Sequence, residues 1–226
     1  MQHLRGYSFA ANGTLALTDL HAYLLNPWAW VQMTHNQSAA LVTGAFVVAA
    51  LGAFYALRGA HSEQARLYLN AGTLAGLVAS MLVAFPTGDA QAKMVGRHQP
   101  VTLAAMEGRF QGGRLAEVTM IGQPNVEEQR LENPIPLPCA LSFLAYGTFQ
   151  SYVKGLNEFP RENWPDNIEL IYYAFHLMMT LDTIFIDIMA WANWQRWRRG
   201  LTSDPLLLWV LMLAFRSLTS PTPSAG

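Results

Sequence analysis

Ser38–Leu57 reads SAALVTGAFVVAALGAFYAL, a run of the chain without one charged side chain. About 20 apolar residues are what an α-helix needs to cross the hydrocarbon core of a bilayer. This stretch therefore sets the fold class: helical, and in a membrane. Gly44 and Gly52, with Ala40, Ala45, Ala49 and Ala53, give the helix a small-residue surface for close packing. The whole chain agrees with this reading. Of 226 residues 52% are hydrophobic and only 13% charged, roughly half the usual charged share. A formal net charge of −1 gives no support for nucleic-acid binding, and one cysteine, Cys139, excludes an internal disulfide framework or a Cys-rich metal site.

Outward toward the N-terminus, Asn26-Pro27 starts the helix, and Trp28 and Trp30 have the composition of interfacial anchors. His35 lies near the head of the span. A His there needs a partner, and it reads either as an interfacial side chain bonded to headgroups or Gln32, or as a heme ligand. Residues 1–26 read as an outer surface loop, with a turn at Asn12-Gly13 and a helix start at Thr18-Asp19. They lack the apolar core and small-residue cleavage pattern of a signal peptide.

Outward in the other direction, the pattern predicts membrane helices at 27–58, 67–86 and 168–195, and a partial one at 205–215 too short to cross. Connections at 59–66 and 196–204 carry Arg58, Arg66, Arg196, Arg198 and Arg199 at or within their ends. Arg-rich short loops face the cytoplasm, which puts 1–26 and the long polar segment 87–167 outside. Within that segment Pro134, Pro136 and Pro138 favour extended chain without sheet pairing. The tail, 216–226, reads as disordered. The third span holds His176, Asp182 and Asp187, which should face protein, cofactor or water. Met178 and Met179 read either as core filling or as one residue facing a site. The expectation is an all-α integral membrane protein of about four transmembrane helices, the last incomplete, with a long extracytoplasmic loop.

That loop opens with Gly88–Phe110, GDAQAKMVGRHQPVTLAAMEGRF. Pro100 suits the first position of a helix, and LAAMEGRF reads as its first turns. Glu107 falls near a small apolar face. Such a carboxylate is either a solvated surface residue or a proton acceptor near the membrane.

The stretch from Gly88-Asp89 through His98-Gln99-Pro100 to Leu103-Ala104-Ala105-Met106-Glu107-Gly108 resembles the quinol-binding loop of the large subunit (subunit I) of cytochrome bd-type quinol oxidases. Asn26-Pro27-Trp28-Ala29-Trp30-Val31-Gln32-Met33-Thr34-His35 resembles the family's helix that supplies the histidine ligand of low-spin heme b. Phe175-His176-Leu177-Met178 resembles the segment supplying its methionine ligand, and Ser142–Gly147 resembles the short-loop continuation. The resemblance implies His35 and Met178 as axial ligands of the heme iron, with His176 as a competing ligand. It implies Gln99, Thr102 and Glu107 as quinol-binding residues and Glu107 as the catalytic one. Thr102 stands where the family often has Lys, His176 where many members have Arg, and Asp182 where a small residue is usual. The helices that open the family's subunit and those that close it have no counterpart here, and the change at Arg216 resembles a truncated or shifted reading frame. High-spin hemes are therefore not expected on this chain alone. The implied function is the quinol-oxidising, low-spin heme b part of a terminal oxidase in a bacterial cytoplasmic (inner) membrane. Implied partners are membrane lipid, ubiquinol or menaquinol, and a second oxidase subunit. The competing reading is an inactive membrane fragment or scaffold without cofactor.

The loop charges make topology testable. A cysteine placed at Gln111 should react with a membrane-impermeant thiol reagent from the outer face; labelling from the cytoplasmic face alone would reverse the orientation.

Overall fold

A computed structural model describes residues 5–10 and 13–219, the last few through their backbone. Asn12 of the expected turn and residues 220–226 of the tail lie outside the described residues. The fold is mostly helical, and among the described residues three helical segments are long and apolar enough to cross a membrane. The chain divides into two compact units. Unit 1 is Met1–Thr34 with Gly88–Met179, and unit 2 is His35–Thr87 with Thr180–Gly226.

The elements in order are strands β1 (Tyr7–Phe9) and β2 (Leu15–Leu17) and helices α1 (Leu20–Leu24), α2 (Pro27–Leu57) and α3 (Ser62–Leu82). After them come α4 (Gly88–His98), α5 (Pro100–Met106), strands β3 (Val118–Asn125) and β4 (Arg130–Leu137), α6 (Ala140–Tyr146), α7 (Ile168–Arg198) and α8 (Pro205–Thr219). Asp19 caps α1, its carboxylate accepting from the Ala22 N–H at 3.0 Å, as Thr18-Asp19 suggested. Helix α2 starts at Pro27, as the sequence predicts.

Unit 2 is packed through small residues. A Cβ at Gly52 would lie 2.7 Å from the Leu69 nitrogen, and one at Gly72 would lie 2.5 Å from the Ala49 nitrogen. Only glycine lets α2 and α3 approach that closely. Gly76 receives the side chain of Met189, and Phe46 and Phe185 meet at 5.0 Å between ring centres. Polar ties complete the unit: Asn193 Nδ2 donates to the Thr73 carbonyl at 2.9 Å, and Gln195 Nε2 to Asp204 Oδ2 at 2.9 Å. Asp187 lies exposed on α7.

The sequence reading needs correction in both units. Pro86-Thr87-Gly88 does not end the helical path. A π-helical turn, Val83–Thr87, carries the chain from α3 to α4. Pro86 has no N–H to give, and the wider turn absorbs the loss: the Thr87 hydroxyl donates to the Leu82 carbonyl at 2.8 Å. The proline-rich stretch is not unpaired either. Strands β3 and β4 form an antiparallel hairpin, with Thr119 opposite Pro136 and Ile121 opposite Ile135. Irregularities between Thr119 and Gln123 let this happen, and Asn133 and Pro134 fall where the register skips. The expected all-α class is thus mixed with two small hairpins, β1–β2 and β3–β4. Residues 216–219, read as disordered, continue α8.

Helix α6 packs on α4. Tyr146 Oη donates to the Gly96 carbonyl at 3.0 Å. Ser142 Oγ accepts from the Ala116 N–H at 2.8 Å and donates to the Ser151 carbonyl at 2.9 Å. Around them Trp28, Val95, Leu103, Leu141, Ala145 and Val153 form a buried cluster.

Candidate functional site

Glu107 does not lie in the first turns of a helix; it caps the end of one. Pro100 occupies the first turn of α5, as expected. Six residues later, at Met106, the helix stops, because Gly108 takes φ +59°. Its N–H donates to the Ala105 carbonyl at 3.2 Å, and the Arg109 N–H donates to the Ala104 carbonyl at 2.8 Å. This is the paired hydrogen-bond pattern of a Schellman stop, which needs a left-handed residue at that position. A Cβ on Gly108 would meet both Leu131 and the Tyr172 ring at 3.0 Å. The stop turns Glu107 into the interior of unit 1, where the residue is 5% exposed.

Burial raises the Glu107 pKa to about 7. The Thr119 main-chain N–H and the positive charge of Arg109 act in the opposite direction and are outweighed. Oε2 of Glu107 has no hydrogen-bond partner among the described residues, and neither has the hydroxyl of Tyr172. Thr119 also accepts a hydrogen bond on its other side: His176 Nε2 lies 2.6 Å from its carbonyl oxygen. His176 Nδ1 lies 2.9 Å from the Tyr172 carbonyl. Both ring nitrogens are therefore turned to main-chain oxygens. Glu107, Thr119 and Tyr172 are buried, and half-buried His176 ties Thr119 to Tyr172.

The other quinol candidates stand apart from it. Gln99 precedes the first turn of α5 and Thr102 lies within that turn; both are half-buried, and neither makes a side-chain hydrogen bond among the described residues. Met178 follows His176 by two positions, about 200° around the helix, and is 43% exposed.

In unit 2, His35 is half-buried and has a defined partner. Its Nδ1 lies 3.2 Å from Thr87 Oγ1. The threonine proton is given to the Leu82 carbonyl, so the imidazole Nδ1–H is the donor and Nε2 keeps its lone pair. A ring nitrogen fixed by a hydrogen bond, with the other left to coordinate, is the usual arrangement of a metal-binding histidine. His35 thus fits an axial heme ligand, and the thioether of Met178 is the right chemistry for a second. Asp182 is half-buried on α7. Among the described residues, no three His, Cys, Asp or Glu side chains gather as a metal site.

Sequence reasoning missed Thr119, Tyr172 and Thr87. Two signals were present: Tyr172 precedes His176 by one helical turn, and Thr87 directly follows the proline of an apolar run.

Residues 1–223 match the family described as "Cytochrome bd terminal oxidase subunit I". The chain belongs to that family. A Bacillus subtilis (strain 168) relative, "Putative cytochrome bd menaquinol oxidase subunit I", is 33% identical over 208 residues, covering 89% of this chain and 45% of the relative. A second from the same organism, "Cytochrome bd ubiquinol oxidase subunit 1", is 28% identical and covers 100% of this chain and 50% of its own length. "The structure of bd oxidase from Geobacillus thermodenitrificans" matches with a TM-score of 0.86 at 24% identity, over 96% of this chain and 49% of that one. That likeness shows the fold of a bd oxidase chain. The chain spans about half the length of the curated bd-family relatives it matches.

The buried acid gives a pH-dependent stability. Its pKa is raised in the folded state, so its contribution is fully present below pH 4.5 and is lost as pH rises through about 7. Glu107→Gln should melt at the same temperature as the parent at pH 4.5. At pH 8 it should melt higher, by the equivalent of about 3 kcal/mol. Melting curves in detergent at the two pH values check this.

Proposed function

We propose that this chain provides the quinol-oxidising and low-spin heme b-binding part of a cytochrome bd-type terminal oxidase. The observation that carries the proposal is Glu107: a carboxyl buried beneath the loop hairpin, with one oxygen unpartnered and a pKa of about 7. A general base works best when its pKa lies near the operating pH. The ionised carboxylate takes the proton of a quinol hydroxyl. Arg109 and the Thr119 N–H hold it ionised enough to do so. The relatives' names specify menaquinol in one case and ubiquinol in another, and the substrate assigned here is a membrane quinol of that class.

Heme b, when bound, supplies a one-electron acceptor. His35 would hold its iron through Nε2, with Thr87 fixing the ring. Met178 is the second ligand in this reading. His176 is disfavoured because both its ring nitrogens face main-chain carbonyl oxygens, at 2.9 and 2.6 Å, and neither is turned to an open site. In the same reading the quinol loop faces the outside of a bacterial cytoplasmic membrane, Gln99 and Thr102 contribute at the rim of the quinol site, and a second oxidase subunit completes the complex.

The test is stopped-flow reduction of the low-spin heme by a short-chain quinol. The parent rate should rise as pH passes through about 7. Glu107→Gln should lose that rise and run about 100-fold slower with normal heme content. Unchanged kinetics with heme intact would make Glu107 a structural residue. In the same preparations His35→Ala and Met178→Leu should each abolish the low-spin spectrum and His176→Ala should keep it; loss in His176→Ala alone would reassign the ligand. Absence of heme from the parent protein would favour a scaffold without cofactor.

A further inference from the structure

Tyr172 is a buried side chain of unit 1 whose hydroxyl has no part in the mechanism above. It sits in the first turns of α7 and is 1% exposed. Two glycines clear its slot. A Cβ on Gly108 would meet the ring at 3.0 and 3.1 Å, and one on Gly122 would meet the hydroxyl at 3.0 Å. The imidazole of His176 stacks on the ring at 3.9 Å between centres, with 29° between the planes. The phenol is therefore held in one orientation, with Leu131 packed beside both glycines.

A residue packed this way for its ring alone would be better as phenylalanine. A buried hydroxyl without a partner loses its hydrogen bonds to water and gains nothing in return. Yet the Tyr172 hydroxyl has no partner among the described residues. The other side chain of this group with an unpartnered oxygen is Glu107, through Oε2, and Gly108, the residue that follows Glu107, lies directly against the Tyr172 ring. One atom is a donor and the other, when ionised, an acceptor. A ligand that satisfies both presents a hydroxyl. Its oxygen accepts from the phenol, and its proton goes to the carboxylate.

We propose that Tyr172 is a second substrate contact of the quinol site, its hydroxyl donating to the quinol oxygen whose proton Glu107 accepts. This deepens the reading of Glu107 as the quinol base and rests on it. In the transfer the quinol O–H bond breaks and its electron pair stays on the quinol oxygen. The proton bonds to Glu107 Oε2, and Tyr172 keeps its own proton. As negative charge grows on the quinol oxygen, the hydrogen bond from Tyr172 strengthens, which lowers the barrier as well as aiding binding.

The experiment compares Tyr172→Phe, Gly122→Ala and Glu107→Gln in the oxidase complex purified from its membrane. Steady-state oxidation of a short-chain quinol and equilibrium binding of the corresponding quinone are measured, with heme absorbance recorded for each variant. Tyr172→Phe removes one oxygen and leaves the ring packing. It should lower kcat/KM about tenfold, weaken quinone binding and leave the heme spectrum unchanged. Gly122→Ala adds a methyl against the hydroxyl without removing it, and should move both measurements in the same direction. If Glu107→Gln slows oxidation while Tyr172→Phe leaves kcat/KM and quinone affinity unchanged, the Tyr172 proposal is overturned and the Glu107 reading stands. If Tyr172→Phe fails to assemble, Gly122→Ala decides: unchanged quinone affinity there overturns the proposal. If Glu107→Gln itself leaves oxidation unchanged, the quinol-base reading falls and this proposal with it.

Discussion

A carboxyl group moved out of water must be held by something, and in unit 1 the surrounding elements converge on that task. The Schellman stop at Gly108 turns Glu107 inward. The hairpin covers it, and the Thr119 N–H on β3 stabilises its charge. The same peptide neighbourhood is tied to α7 through the short bond between Thr119 and His176. Burial raises the pKa and these contacts limit the rise, so the group titrates near neutrality instead of staying permanently charged or permanently neutral.

Unit 2 answers a different constraint. Inside lipid there is little hydrophobic gain from bringing helices together. Close contact depends on removing side chains, which is what Gly52, Gly72 and Gly76 do. Aromatic contact between Phe46 and Phe185 and the hydrogen bond from Asn193 to the Thr73 carbonyl fix the register. Within this packing His35 finds Thr87, so the fixed orientation of its imidazole is a product of close helix approach and of the π turn together.

Much of this was legible in the residues. The apolar runs around Ser38–Leu57 and Ile168–Trp194 are long enough that only membrane helices fit them, and Pro27 and Pro100 marked helix starts correctly. Gly108 carried the information that α5 stops at Glu107, although it was read only as part of a continuing helix. The hairpin was hidden because prolines normally argue against pairing; here they pair at irregular register, which no local pattern encodes. The group around Glu107 was hidden for a related reason. Thr119 and Tyr172 lie 12 and 65 positions beyond it in the chain, and neither is distinctive by type. Only folding makes them neighbours.

The π turn at Val83–Thr87 also bears on which changes of length the chain can accept. It holds one more residue than an α-helical turn would. Deleting any one of its five residues would restore a regular ladder, and each residue after the cut would swing by about 100° about the helix axis. Thr87 would then leave its position beside His35. Substitutions in this turn can be graded, but a one-codon deletion is all or nothing: it would free the imidazole to choose the other tautomer. Members of the family that keep a histidine at this point should therefore keep the count of residues through the turn, even where its sequence drifts.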